Sequence, residues 1–143
     1  MRDEVRTALA LAIDERSTME DRTIDITTTG RRSGEPRRIE IVFYRLGEEV
    51  YLSGIPAPTP RDWLANLAAN PRFTLHLKHR VVADLPATAT VIVEPEERRR
   101  VLGVFVEEFN RRRRESNDGW PEAVLDEWVA QSPLAKVIFD END

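Results

Sequence analysis

The stretch Thr27-Thr28-Thr29-Gly30-Arg31-Arg32-Ser33-Gly34-Glu35-Pro36-Arg37-Arg38 sets four arginines and two glycines between two strand-like segments. A guanidinium stays charged at every physiological pH, and its planar fork matches the oxygens of phosphate and carboxylate. Glycine lets a backbone turn tightly and approach a ligand closely. These residue types at this spacing suit a hairpin that grips an anion. A solvated, charged turn that keeps a sheet soluble has the same composition and is the alternative. Adjacent strand residues point to opposite faces, so Arg37 and Arg38 cannot grip one group equally. Arg37, on the face of Ile39, Ile41 and Phe43, is the better partner for Arg31 and Arg32.

Other chemistry-bearing residues are fewer. His76 and His79 are the only histidines and the chain has no cysteine. Three residues apart on a strand, the two imidazoles face opposite ways and read as surface or rim residues, so no metal site is expected. Arg98-Arg99-Arg100 and Arg111–Arg114 are interleaved with glutamates. Helical spacing pairs Glu96 with Arg100, Glu107 with Arg111 and Glu108 with Arg112, which suits an exposed helix laced with ion pairs. A nucleic-acid surface would also want interleaved aromatics and a binding motif, and neither is present. Trp120 and Trp128 lie eight apart with Val124 between them, as on one helical face.

Composition narrows the ligand. The 143 residues carry a net charge of −5. Residues 27–80 hold nine Arg/Lys against five Asp/Glu, a net of +4, while the remainder holds 12 against 21, a net of −9. A basic middle in an acidic frame favours a small anionic ligand over a long polyanion. The lack of cysteine excludes disulfides and thiolate nucleophiles and fits a reducing cytoplasm. No apolar run reaches the ~18 residues of a membrane span, and Met1-Arg2-Asp3-Glu4 lacks the apolar core of a signal peptide.

The elements that must position the arginines follow from periodicity. Residues 2–13 read as a helix with Val5, Leu9 and Ala12 or Ile13 on one side. Thr23–Thr29, Arg37–Tyr44 and Glu49–Ser53 read as strands, joined at Gly30–Gly34 and Leu46-Gly47-Glu48. Pro56 and Pro58 stiffen the next loop. Thr59 reads as an N-cap and Pro60 as the first residue of a helix to about Ala69, buried along Trp63, Leu64, Leu67 and Ala68. Asn70-Pro71 stops it. Phe73–Arg80 and Val81–Val93 are further strands, the second interrupted by Pro86, which suggests an edge or a bulge. A helix opens at Glu94-Pro95-Glu96 and runs to about Arg114 with Leu102, Phe105 and Phe109 on its apolar face. Trp120–Ala130 reads as another helix, Ala135–Phe139 as the last strand and Asp140–Asp143 as a frayed tail. About six strands with appended helices is an α+β pattern, and antiparallel strands with short turns suggest a small barrel.

With these elements in place, Thr28-Thr29-Gly30-Arg31-Arg32-Ser33-Gly34-Glu35-Pro36-Arg37 resembles the signature turn of the deazaflavin-dependent nitroreductases, the Ddn-like members of the split β-barrel flavin and deazaflavin oxidoreductases. Trp63-Leu64-Ala65-Asn66-Leu67-Ala68-Ala69-Asn70-Pro71 resembles the family's Trp-x-x-Asn-Leu-x-x-Asn-Pro helix, and the spacing from Ser53 to Trp63 agrees.

The resemblance spans roughly residues 23–93 and the last strand. It implies a split β-barrel of the FMN-binding-like, antiparallel Greek-key kind, with flanking helices, in a single domain over residues 1–143. Within it, 1–14 would be an N-terminal helix, 23–93 the barrel core with the cofactor motif, 95–130 a helical segment and 135–139 the closing strand. It further implies coenzyme F420, a deazaflavin with a phosphodiester and an acidic glutamate tail. Arg31, Arg32 and Arg37 would hold phosphate and tail, Ser53 would lie near phosphate or ring, and Trp63 and Asn66 would shape the loop and its helix. The implied activity is hydride transfer from the reduced deazaflavin to a small electron-poor acceptor (a nitroaromatic, quinone or enone) in a monomer or homodimer. The proton would come from solvent or a hydroxyl such as Ser53 or Tyr44. Gly54-Ile55-Pro56 stands where the family often has a lysine and two glycines, and the substrate-facing tyrosines common near the C-terminus are lacking. An FMN-dependent reductase and a non-catalytic binder of lipid or haem are the alternatives on the same barrel.

Overall fold

Six strands and four helices form a closed antiparallel barrel with helices at its ends and on one side, in a computed structural model that describes residues 2–14, 16–117 and 119–140. Helix α1 (Asp3–Ala12) precedes strands β1 (Thr23–Thr29), β2 (Pro36–Leu46) and β3 (Glu49–Ser53). Helix α2 (Asp62–Ala69) leads to β4 (Arg72–Lys78) and β5 (Val82–Val91). Helices α3 (Pro95–Ser116) and α4 (Leu125–Gln131) are inserted before β6 (Leu134–Phe139).

Around the barrel the order is β1-β2-β3-β6-β5-β4, with β4 pairing back to β1. The run β4-β1-β2-β3 is a Greek key: three hairpin-joined strands, and a fourth that returns beside the first after a long connection carrying α2. Closure leaves no open sheet edge. Pro86 sits within β5 opposite Thr74, one residue short of the β6 ladder, which begins at Ala87. Its missing N–H therefore falls where the second neighbour has ended, and its carbonyl accepts the Asp140 N–H at 3.1 Å.

Two apolar cores share the barrel wall. The interior holds Ile24 and Ile26 of β1, Ile41 and Phe43 of β2, Leu52 of β3 and Leu75 of β4, as alternation requires. Leu9 and Ile13 at the end of α1 join this core from one end, and Trp63 and Leu67 of α2 join it from the other. The second core lies outside β2, β3 and β6, where Tyr44, Tyr51 and Leu134 meet Leu102, Phe105 and Trp128 of the α3–α4 pair. Tyr44 stacks on Phe105 with ring centroids 4.3 Å apart. Strand β3 is thus buried on both faces, which its short sequence Glu-Val-Tyr-Leu-Ser does not announce.

Four expectations need correction. Helix α2 starts at Asp62, not Pro60, with Arg61 at the cap and no side-chain cap bond; the Pro58–Pro60 spacing holds the chain extended up to that point. Its inward residues are Trp63, Asn66 and Leu67, with Leu64 half-buried and Ala68 exposed. Helix α4 starts at Leu125, because Pro121 follows Trp120 directly, so Trp120 and Trp128 are not on one helix. Both still meet Phe109, at centroid distances of 6.4 and 5.5 Å. His76 is buried rather than a surface residue, its imidazole between Thr27 and Asp84. Helix α3 forms where expected: Glu94 accepts from the N–H groups of Glu96 and Glu97, Pro95 opens the first turn, and Asn117 ends it in the left-handed conformation. The frayed tail read from sequence lies, beyond Asp140, outside the described residues.

Candidate active site

The basic turn closes on itself before it meets anything else. Gly30 N–H donates to Glu35 O and Gly34 N–H to Gly30 O, both at 2.8 Å, and Gly34 takes a φ of +72°. A Cβ on Gly30 would stand 2.7 Å from Ser33 Oγ and 3.3 Å from Glu35 O, so the turn needs glycine there for close approach. Ser33 Oγ accepts from Glu35 N–H at 3.1 Å and lies 3.4 Å from an Arg37 Nη2 donor.

Helix α2 then locks the turn. Asn66, 6% exposed, accepts the Arg31 backbone N–H at 3.1 Å and the Arg31 Nη1 donor at 3.0 Å on the same Oδ1. Its amide reaches Thr28 Oγ1 at 3.5 Å. Arg31 Nη2 also lies 3.4 Å from Asp62. Between turn and helix is a cleft of about 420 Å³ lined by Thr28, Gly30, Arg31, Arg32, Ser33, Arg37, Ile39, Asp62, Trp63 and Asn66. Arg37 sits opposite Thr28 in the register and so faces the cleft; Arg38 sits opposite Thr27 on the outer wall and pairs with Asp25 at 3.0 Å. Arg32 and Arg37 are exposed and form no ion pair among the described residues. Their charges are free to meet an anion.

The remaining candidates are elsewhere. Ser53 is 2% exposed, and its hydroxyl donates to Pro133 O at 2.9 Å. Tyr44 lies under α3, and burial pushes its hydroxyl up to about 12. The structure therefore groups Arg31, Arg32, Arg37, Trp63 and Asn66 around one cleft and places Ser53 and Tyr44 outside it. Sequence reasoning missed Arg61, whose guanidinium donates to Ile55 O at 2.8 Å. A Cβ on Gly54 would lie 3.8 Å from Arg61 Nη1, so a cation stands beside the position after Ser53. The signal was available in Pro60-Arg61-Asp62, but nothing local says which way that arginine folds.

Two hollows of about 680 and 690 Å³ lie near the α1 end and the α3 surface. Arg45 and Arg22, which line the first, are already committed. Arg45 donates to Leu9 O and Ile13 O, closing the end of α1, and Arg22 pairs with Glu108 at 2.8 Å. Both ring nitrogens of His76 are engaged, Nε2 at 2.7 Å from Thr27 Oγ1 and Nδ1 at 2.6 Å from Asp84. His79 Nε2 lies 2.7 Å from Thr23 Oγ1. Among the described residues no group of three acids or histidines could hold a metal ion. Among the described residues no helix is long and apolar enough to cross a membrane.

A closed six-stranded Greek-key barrel with four helices is the split-barrel fold of the flavin and deazaflavin oxidoreductase class. Within that class the chain belongs to the F420H(2)-dependent quinone reductase family, whose model matches residues 2–118. Its activity is that of an F420-dependent oxidoreductase, passing hydride from reduced F420 to quinone-like acceptors.

Solved structures agree on the fold. An F420-H2-dependent reductase (FDR-A) is 20% identical with a TM-score of 0.52, over 82% of this chain and 94% of that one. A putative 5-nitroimidazole antibiotic resistance protein from Bacteroides thetaiotaomicron is 15% identical with a TM-score of 0.60, over 98% and 81%. An FAD and heme binding protein from Mycobacterium smegmatis is 17% identical with a TM-score of 0.53, over 99% and 72%.

Proposed function

We propose that the cleft between the basic turn and α2 is where this chain holds F420, with Arg32 and Arg37 on the phosphodiester and acidic tail and Arg31 completing the cradle. The observation that carries this reading is the Asn66 clamp: one buried amide fixes the turn so that two unpaired guanidiniums flank a single cleft. A polyanionic tail needs more cations than one phosphate does, and a turn with two arginines to spare suits it. Trp63 and Ile39 give the cleft its apolar wall.

When bound, reduced F420 supplies the hydride; the chain supplies placement and electrostatics. Arg31 is the rigid member, tied to Asn66 and Asp62, while Arg32 and Arg37 adapt to the ligand. The barrel wall keeps water from one side of the cleft. Ser53 and Tyr44 are spent on internal packing, so the proton that completes a quinol comes from solvent. The lack of cysteine suits a cytoplasmic setting.

A fluorescence titration with F420, run beside FMN, tests this. Micromolar or tighter binding of F420, weaker binding of FMN, and F420H2-dependent reduction of a quinone are expected. Equal affinity for FMN would make this an FMN site, and no binding of either would remove the cleft from the chemistry.

A further inference from the structure

A second cleft adjoins the first at the start of α2, where Arg61 lines it and the next residue, Asp62, lines the cleft beside the basic turn. It encloses about 490 Å³ between the proline loop, the end of β5 and the α4–β6 connection. Most of its wall is apolar, including Pro58, Pro60, Leu64, Val91 and Pro133. The charged residues that line it are Arg61 and Arg98, both cations.

Neither has a carboxylate partner among the described residues. Arg61 donates to Ile55 O. Arg98 donates to Val129 O at 3.0 Å, Ile92 O at 3.0 Å and Ser132 O at 2.6 Å, with Trp128 O at 3.5 Å. Carbonyl dipoles orient a guanidinium without cancelling its charge, and desolvation pulls the Arg98 pKa down. Ser132 lines the same cleft and has a buried hydroxyl with no hydrogen-bond partner. A buried hydroxyl without a partner is costly, and a ligand oxygen would relieve it. An apolar slot with two unneutralised cations and a spare hydroxyl is complementary to a flat, apolar molecule that bears a negative oxygen.

We propose that this second cleft receives the electron acceptor and that Arg98 and Arg61 select, among quinones, those carrying an anionic oxygen, as an ionised hydroxynaphthoquinone does. The inference rests on the quinone reductase reading for the acceptor's ring chemistry. Reduction adds one hydride, from F420H2, and one proton, from solvent. The quinone becomes a hydroquinone, F420H2 becomes oxidised F420, and the anionic substituent is untouched. Both arginines therefore bind substrate and product alike, so their loss raises KM and leaves kcat largely unchanged.

Calorimetric titration of the full chain, without cofactor, with hydroxynaphthoquinone and with the uncharged parent naphthoquinone tests this. The absence of cysteine removes thiol arylation as a competing reaction. The anionic quinone binds about tenfold more tightly, the scale of one charge-assisted contact. Arg98→Gln and Arg61→Gln each erase most of that preference, leave the neutral quinone's affinity in place and raise KM for the anionic one. Equal affinities in the unaltered protein, or a preference that survives both substitutions, overturn the proposal. If Arg98→Gln fails to fold because it straps α3 to the α4–β6 connection, Arg61→Gln decides alone, since its one hydrogen bond lies at an exposed edge. F420 affinity is titrated separately. Loss of the preference with F420 bound refutes only the acceptor assignment; failure to bind F420 with the preference intact refutes only the cofactor reading.

Discussion

Asn66 and Arg31 form a two-point contact in which one amide oxygen accepts both the main-chain N–H and the guanidinium of the same arginine, at 3.1 and 3.0 Å. The contact joins residues 35 apart in sequence and is the main tie between the basic turn and the helix beside it. Asn66→Ala takes the shared acceptor from the Arg31 N–H and guanidinium, leaving the guanidinium only Asp62. The expected loss is about 1 kcal/mol in urea denaturation, the net worth of an ordinary hydrogen bond. F420 affinity falls with it, because the turn loses its fixed position. Unchanged stability with unchanged affinity would mean the clamp is incidental.

The arginines separate into a structural and a ligand-facing set. Arg37→Ala should lower F420 affinity by about 1.5–3 kcal/mol, the worth of a hydrogen bond to a charged group, with little change in stability. Arg31→Ala should lower both, since Arg31 also bonds Asn66 and lies 3.4 Å from Asp62. Paired titration and denaturation of the two variants distinguishes these outcomes. An Arg37→Ala protein that binds F420 normally would take the turn out of the site.

Tyr44 gives a dependence on alkaline pH. Burial under Phe105 pushes its hydroxyl from 10.0 up to about 12. The unfolded chain ionises first, so the stabilisation from keeping Tyr44 neutral is complete below about pH 10 and is lost as pH rises toward 12. Two pH units of difference correspond to roughly 2–3 kcal/mol. Tyr51 is also pushed up to about 12, first by burial and then by the Glu49 carboxylate that accepts from its hydroxyl at 2.6 Å, and falls in the same window. Stability measured from pH 9 to 12 should drop steeply, and Tyr44→Phe should flatten part of the drop. An identical slope in the variant would assign the alkaline loss to other groups.

The strands and the cleft-forming turn were legible because their signals are local. Alternation marks Thr23–Thr29 without error, and the glycine and arginine spacing marks the turn. The Trp63–Asn66 helix was legible as a motif, but not its polar inward face. Asn66 takes a core position because its partner, Arg31, comes from a distant hairpin, and no helical periodicity encodes that. His76 was misread for a like reason: Thr27 and Asp84 bury it from neighbouring strands. Tyr44 and Ser53 read as available hydroxyls because sequence cannot show that α3 covers one and Pro133 O accepts from the other. The start of α4 was missed where Pro121 should have warned against a helix from Trp120.

The arginine runs of α3 lead to a last prediction. Glu108 accepts from Arg22 at 2.8 Å and from Arg112 at 2.9 Å, and Arg111 approaches it at 3.9 Å, so one carboxylate serves three cations. The Glu108–Arg112 pair is the i,i+4 contact expected from spacing, but the Arg22 contact spans 86 residues and ties α3 to the segment before β1. The Arg22 side chain is 4% exposed, and burial lowers its pKa against the opposing pull of Glu108. Removing Glu108 leaves that cation buried and unneutralised, which costs about 3–5 kcal/mol where a buried pair is broken from one side. Glu108→Ala is therefore expected to be among the most destabilising changes on α3, whereas Glu107→Ala on the solvent side should stay within about 0.5 kcal/mol. Combining Glu108→Leu with Arg22→Met removes both charges at similar volume and should recover most of the loss. Denaturation of Glu108→Leu, Arg22→Met and their double variant closes the cycle. A Glu108→Ala protein as stable as the parent would mean that Arg22 finds water or another acceptor, and that α3 is held by its apolar face alone.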